Sequence, residues 1–169
     1  MGSGQIRNTF EHGETDRSVL SAQKWHDGEI EIAIIDHGRG IRESLAEHIT
    51  TGDDCEALNL AILPGVSRSI DQSNDNEWGN SGFGLYVLSE LGKRYGVFYL
   101  VSGRSFLIAK DNLIECIDCV FQGTAVGLKI KKPKGTNFQE LIEEIVAEGE
   151  KISGSSQFPR RASKSSKTS

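Results

Sequence analysis

The sequence predicts an α+β fold in a single domain. A strand is predicted over Glu29–Ile35, because β-branched and apolar residues dominate a run whose only charges are two glutamates. Two β-rich runs joined at Ser102-Gly103 predict a hairpin, since glycine is a common turn residue. An amphipathic helix is predicted over Phe138–Ile152, which carries its apolar side chains in one stripe. With 169 residues, the chain is long enough to bury a sizeable core.

Charge is distributed unevenly along the chain, whose formal net charge is −5. Residues 154–169 contain four basic residues and no acidic ones, so the remainder is more acidic than the total suggests. We expect residues 153–169 to form a disordered, basic, Ser-rich tail. The acidic body argues against direct binding of nucleic acid, because such binding depends on neutralising phosphates.

The chain has three cysteines, Cys55, Cys116 and Cys119, and an odd count fits a reducing compartment. We expect strand or loop cysteines and no disulfide framework. Cys116 and Cys119 form a CxxC pair, and a metal or redox role is the alternative, but a zinc site needs a second pair of ligands. No apolar run reaches about 18 residues and the N-terminus lacks an apolar signal sequence, so we predict a cytoplasmic protein without membrane segments.

The N-terminal part of the chain is polar. Met1–Gly4 reads MGSG and is interpreted as a cloning scar, which places the domain at residues 5–152. Residues 5–13 predict a short helix ending at a glycine. Glu14–Gly28 is mostly polar and is predicted to be a loop, or a loop with one irregular helical turn near Val19–Trp25, that leads into the Glu29–Ile35 strand.

Helices are predicted in the middle of the chain. Ile41–His48 and Cys55–Leu63 both show helical spacing of apolar residues, and Asp53 or Asp54 is a plausible N-cap for the second. Val66–Trp78 is the most polar internal segment and predicts a long loop, of the kind that tends to be functional or disordered. It runs into a glycine cluster, after which the apolar spacing predicts a helix over Leu85–Arg94.

The C-terminal half is predicted to supply most of the sheet. Tyr95–Ser102 and Arg104–Lys110 are the two β-rich runs of the predicted hairpin. Asp111–Gln122 fits either a strand or a packed loop. Thr124–Lys132 is predicted to be the last strand, which Pro133 ends.

Three motifs carry chemical information. Asn8 lies in the predicted first helix, the string DHGRGI (Asp36–Ile41) follows the buried strand, and GNSGFGL (Gly79–Leu85) opens a helix. A carboxylate at the end of a buried strand is costly unless a partner is supplied. The simpler interpretation of DHGRGI is a strand–turn–helix junction in which Asp36 caps the helix. A functional site is the alternative, and this motif alone does not separate the two interpretations.

The ordered set of motifs resembles the GHKL superfamily of ATP-binding domains, which includes histidine kinases, mismatch-repair ATPases and anti-sigma-factor serine kinases. The resemblance covers residues 5–132. It implies a Bergerat-type two-layer α/β sandwich: a mixed, mostly antiparallel sheet with helices on one face and a lid loop. NTFEHG, around Asn8, is locally similar to the corresponding box of anti-sigma-factor serine kinases.

The resemblance implies roles for the first glycine motif and the last strand. Asp36 corresponds to the aspartate that accepts a hydrogen bond from the exocyclic amine of adenine. Gly38 and Gly40 would let the backbone pass close to the base, and Ile41 would line the adenine pocket. Thr124 matches a threonine that assists the aspartate.

The resemblance also implies how ATP and Mg²⁺ would be held. Asn8 corresponds to the asparagine that coordinates Mg²⁺, for which an amide oxygen is a suitable hard ligand. His12 lies one helical turn later, near the phosphates. Backbone N–H groups at a helix N-terminus attract phosphate oxygens. The residues expected there are Gly79, Ser81, Gly82, Phe83, Gly84 and Leu85.

One departure from the family concerns turnover. Catalytic members usually carry a glutamate four residues before the asparagine, and here that position is Gly4, inside the interpreted scar. Either the glutamate was removed together with the preceding helix or the protein lacks it, and in both cases we expect nucleotide binding with impaired turnover. The implied function is that of an ATPase, or of a serine/threonine kinase acting on a protein partner. A conformational switch would instead predict a homodimer that forms with ATP. The alternative is a non-catalytic, nucleotide-sensing interaction module.

Overall fold

The computed structural model describes residues 18–66 and 82–155. Within these ranges the strands are β1 (Ser18–Lys24), β2 (Glu29–Asp36), β3 (Gly96–Lys110) and β4 (Leu113–Lys131). The helices are α1 (Ile41–Leu45), α2 (Asp54–Ala61), α3 (Gly84–Tyr95) and α4 (Phe138–Gly154). The predicted α+β class is therefore confirmed. None of the described helices is long and apolar enough to cross a membrane.

The four strands form one open sheet in the order β1-β2-β4-β3. Every neighbouring pair is antiparallel, so the sheet formed by the described residues is not mixed. The C-terminal half of β4 pairs with β2 on one side and with β3 on the other. As a result Thr124 lies between Asp36 of β2 and Ser102 of β3.

The predicted turn at Ser102-Gly103 is wrong, because β3 runs straight through it. The chain reverses instead at Asp111 and Asn112, whose φ angles of 51° and 60° are those of a two-residue hairpin turn. The strand register shifts at Gly103, which has a φ of 62°. Glycine occurs in β-bulges as well as in turns, so Ser102-Gly103 suggested a turn where the strand has a bulge. Asp and Asn also tolerate the left-handed conformation, so the actual turn at Asp111 and Asn112 needs no glycine.

β4 resolves the ambiguity over residues 111–122, since its N-terminal half is a strand paired with β3. β1 was not predicted at all: the loop expected over Glu14–Gly28 is wrong for Ser18–Lys24. Most of β1 is exposed, so it lacks the alternation of a half-buried strand. Its conformation follows from pairing with β2 along its whole length.

The helices lie close to where they were expected. The N-cap of α2 is Asp53, whose carboxylate accepts a hydrogen bond from the N–H of Glu56 at 2.8 Å. α1 is shorter than predicted. α4 continues past the predicted domain end at Ile152, and its Ser153 is fully buried, so the structured unit extends beyond that boundary.

The main core lies between the sheet and the helices. It brings together apolar side chains of one face of the sheet with side chains of α2, α3 and α4. Because these strand residues alternate along β3 and β4, they point to the same side, where the helices pack. The fully buried members with the largest side chains are Leu58, Phe83, Leu91, Phe98, Leu100, Leu107 and Ile145.

Two of the three cysteines are joined by a disulfide, which the expectation of strand or loop cysteines without a disulfide framework did not include. Cys55 in the first turn of α2 pairs with Cys116 on β4, with a Cα–Cα separation of 6.2 Å. Cys119 is the free thiol. The two partners are 61 residues apart in sequence, so no local pattern indicated their contact.

Candidate functional site

Asp36 is the last residue of β2, and it is buried. Only 6% of its surface is exposed, because it lies on the helix-covered side of the sheet. Burial raises the pKa of its carboxyl group. Hydrogen bonds from the backbone N–H groups of Gly38, at 2.8 Å, and of Thr124 act in the opposite direction, as does the nearby His37. The carboxylate is therefore a buried acceptor held in place by backbone donors.

Asp36 also shows which interpretation of DHGRGI fits the local geometry. Its carboxylate bonds to the N–H of Gly38, which lies in the turn, and the N-cap residue of α1 is Gly40. Asp36 is thus not the N-cap of α1. The simpler interpretation, in which it caps the helix, is wrong.

The turn after Asp36 is fastened to β3 by one hydroxyl group. Ser102, 3% exposed, accepts a hydrogen bond from the N–H of Ile41 at 3.0 Å and donates one to the carbonyl of Gly123 at 2.8 Å. Gly40 has a φ of 83°, and a Cβ there would lie 2.7 Å from the Ser102 hydroxyl oxygen. Glycine is therefore required at position 40 both by conformation and by the close approach of Ser102.

Gly123 forms the other side of this arrangement. It lies on β4 immediately before Thr124, with a φ of 99°. A Cβ at this position would lie 2.1 Å from the carbonyl oxygen of Asp36. The close contact between the two strands thus positions the end of β2 against β4, and it depends on the absence of a side chain.

The second glycine motif is described from Gly82 onward. Gly82 has a φ of 73°, and a Cβ there would lie 2.3 Å from the carbonyl oxygen of Val66. Phe83 is fully buried, with its ring edge-on to that of Tyr86. Gly82 and Phe83 therefore anchor the start of α3 against the segment that follows α2.

The two glycine motifs meet through a small apolar cluster. Its buried members are Leu45 of α1, Ala57 and Ala61 of α2, and Val66, which follows α2. Ile41 of the first motif and Leu85 of the second both pack against it. The structure thus brings together residues that are widely separated in sequence.

The N-terminus of α3 differs from those of α2 and α4. Asp53 and Asn137 cap those two helices with a side-chain hydrogen bond to a backbone N–H. The N-cap of α3 is Phe83, which supplies no such bond, and the first turn of α3 carries no acidic residue. The first N–H groups of this 12-residue helix are therefore not capped by the N-cap side chain, an arrangement that suits an anionic ligand.

Several predicted site residues lie outside the described ranges. These are Gly4, Asn8, His12, Gly79 and Ser81. In residues 18–66 and 82–155, no group of three or more His, Cys, Asp or Glu side chains is arranged to hold a metal ion. The structure describes the other residues that were predicted to form the site, which are Asp36, Gly38, Gly40, Ile41, Gly82, Phe83, Gly84, Leu85 and Thr124.

Sequence reasoning missed Ser102, which links three parts of the site. The only signal was a serine placed at the end of an apolar run, VFYLVS, where its hydroxyl would need a partner. We interpreted that serine as part of a turn.

Neither the protein-family models nor the curated protein sequences contain a match to this chain. The resemblance to the GHKL superfamily therefore depends on the motifs themselves.

Proposed function

We propose that this chain is a GHKL-type, Mg²⁺-dependent ATP-binding domain, in which Asp36 recognises adenine. The observation that carries the proposal is the buried carboxylate at the end of β2. Burying a carboxylate costs free energy, and backbone hydrogen bonds offset only part of that cost. An amine donor from a ligand would complete its hydrogen bonding. The exocyclic amine of adenine is such a donor.

The residues around Asp36 support this proposal. The Gly38–Ile41 turn and Thr124 flank the carboxylate, and Ile41 is an apolar side chain at the edge of the same cluster that Leu85 contacts. Guanine presents a carbonyl oxygen where adenine presents its amine. The carboxylate would therefore repel guanine and favour adenine.

The start of α3 is the proposed phosphate site. Its first turn combines N–H groups that receive no hydrogen bond from the N-cap side chain with the positive end of the helix dipole, and both favour phosphate oxygens. Of the residues predicted to bind phosphate, Gly84 and Leu85 lie in that turn, and Gly82 and Phe83 lie directly before it. Asn8 is the proposed Mg²⁺ ligand and His12 a proposed phosphate neighbour; the ion would neutralise phosphate charge when bound.

The use made of ATP is proposed at the level of class. The first candidate is ATP hydrolysis, or phosphoryl transfer to a serine or threonine of a protein partner. If ATP instead drives a conformational switch, the chain would form a homodimer when ATP binds. The second candidate is a non-catalytic, nucleotide-sensing module, with which the lack of a glutamate four residues before Asn8 in this sequence is compatible. The cytoplasm is the proposed location.

Calorimetric titration of ATP, ADP and GTP with Mg²⁺ tests the proposal. We expect ATP and ADP to bind, GTP to bind at least about tenfold more weakly, and Asp36→Asn to weaken ATP binding about 10- to 100-fold. That range follows from about 1.5–3 kcal/mol for a hydrogen bond to a charged group.

Asp118→Asn is the matched control, because Asp118 is an exposed carboxylate on β4. It should bind ATP as the parent does. Absence of ATP binding by a parent protein that melts cooperatively would overturn the proposal. Equal affinity of the parent and Asp36→Asn would overturn the role of Asp36.

A further inference from the structure

The disulfide between Cys55 and Cys116 joins α2 to the β3–β4 hairpin. Cys55 lies in the first turn of α2, and Cys116 lies on the part of β4 that pairs only with β3. The ring that it closes contains the second glycine motif, α3 and β3. The bond therefore closes a ring that includes elements of the candidate site.

Contacts other than the bond also hold the two cysteines near each other. Asp54, beside Cys55, accepts a hydrogen bond from the backbone N–H of Arg104 at 2.9 Å. Ala57 and Leu58 of the same helix are fully buried. These contacts hold α2 on the β3–β4 hairpin after reduction, so the thiols stay close enough to be joined again.

The pair is also accessible to small thiol reagents. Cys55 and Cys116 are both partly exposed. The side-chain amide of Asn59 donates a hydrogen bond to the sulfur of Cys55 at 3.4 Å, which favours negative charge on that sulfur during exchange. Partial exposure is typical of cysteines that react reversibly.

The disulfide bears on the candidate site through α2. Ala57 and Ala61 belong to the apolar cluster that Ile41 and Leu85 contact, and Val66 of that cluster touches Gly82. Fixing the N-terminal end of α2 therefore restrains the segment that carries Val66. In the described structure, with the bond formed, this segment is packed against the second glycine motif.

We infer that Cys55 and Cys116 form a reversible redox modification site, whose oxidation restrains α2 and residues 62–66. The oxidant is a small disulfide such as glutathione disulfide. One cysteine thiolate attacks it, forms a mixed disulfide and releases one glutathione thiolate. The other cysteine thiolate then attacks the mixed disulfide and releases the second. Two protein thiols are oxidised, and the two protons they lose are taken up by the two glutathione thiolates formed.

Counting thiols in the folded protein tests the chemistry. After dithiothreitol, a maleimide should label all three cysteines; after glutathione disulfide it should label only Cys119, as located by peptide mass analysis. Returning the protein to dithiothreitol should restore three. Three labelled cysteines after oxidation, or a protein disulfide that includes Cys119, would overturn the inference.

Hydrogen exchange tests the structural consequence without any nucleotide. Backbone amides of residues 54–66 should exchange about three- to tenfold more slowly in the oxidised than in the reduced protein. Cys116→Ser should show the fast rate under both conditions, and Cys119→Ser should respond as the parent does. Equal rates in oxidised and reduced parent would overturn the restraint.

A nucleotide measurement, which rests on the proposed function, extends the test. If ATP binds, reduction should weaken it about three- to tenfold, because a restrained site loses less freedom on binding. If ATP binds to neither form, the proposed function fails, while thiol counting and hydrogen exchange still decide the redox site. Equal ATP affinity of the two forms would show that the restraint does not reach the site.

Discussion

Removing the hydroxyl of Ser102 should loosen the turn that follows Asp36. In Ser102→Ala, the N–H of Ile41 loses its acceptor and the carbonyl of Gly123 loses its donor. Ser102 is 3% exposed, so bulk water does not replace the hydroxyl without rearrangement. The substitution leaves two backbone groups without partners and makes no new clash.

The size of the effect follows from these two groups. A buried donor or acceptor left without a partner costs about 1–3 kcal/mol. Local relaxation reduces the sum, so we expect the free energy of unfolding to fall by about 2–4 kcal/mol. In a chain of this length, 1 kcal/mol corresponds to about 2–4 °C in Tm. ATP binding, if present, should weaken as well, because Gly40 and Ile41 lose their attachment to β3.

Urea unfolding followed by circular dichroism measures the change directly. Ser105→Ala is the control, since Ser105 is also buried on β3 but does not bond to the turn. It should cost less than about 1 kcal/mol. A loss below about 0.5 kcal/mol in Ser102→Ala would refute the reasoning, because the bridge would then contribute no measurable stability.

Three further predictions concern other parts of the site. Burial raises the pKa of Asp36 above its ordinary value of 3.8, so protonation of Asp36 stabilises the folded state relative to the unfolded state. This contribution to stability is lost as the pH rises from 3.8 through the pKa of the folded state. Asp36→Asn should therefore flatten this part of a plot of the urea midpoint against pH. An unchanged profile would contradict this. Gly82→Ala should lower the free energy of unfolding in urea by about 2–4 kcal/mol, because position 82 combines a left-handed φ with an overlap between the new Cβ and the backbone of Val66. Gly135→Ala, at a similar φ but with open space around it, should lower it by about 1–2 kcal/mol. Equal losses in the two variants would exclude a contribution from the overlap. Cys55→Ser should lower the oxidised protein's stability by up to about 4 kcal/mol from the loop-closure relation, whereas the reduced proteins should differ little; a large difference after reduction would indicate lost packing instead.

Local sequence patterns predicted the elements around Asp36 well. β2 and α3 have strong apolar periodicity, and the glycines between Asp36 and Ile41 indicated the turn. α2 was predicted with Asp53 as one of two N-cap residues, because the cap uses a side chain three residues from the N–H that it binds. Such contacts are short in sequence and can be inferred from spacing.

The remaining features depend on contacts that spacing does not encode. β1 is a strand because β2 offers it hydrogen bonds, although its own residues give no alternation. Ser102 joins Ile41 to Gly123 only because three strands lie side by side. Cys55 and Cys116 meet because α2 packs on the β3–β4 hairpin. In each case the deciding partner is distant in the chain.

The pairing of distant segments at the candidate site has a consequence for folding. Ile41 and Ser102 are separated by 61 residues, so their hydrogen bond cannot form until a long loop has closed. Contacts of this kind slow folding relative to local helix formation. None of the described helices or hairpins contains by itself the complete arrangement around Asp36. The ability to bind a ligand there should therefore arise together with the native sheet, and a ligand that binds there should stabilise the native protein against unfolding.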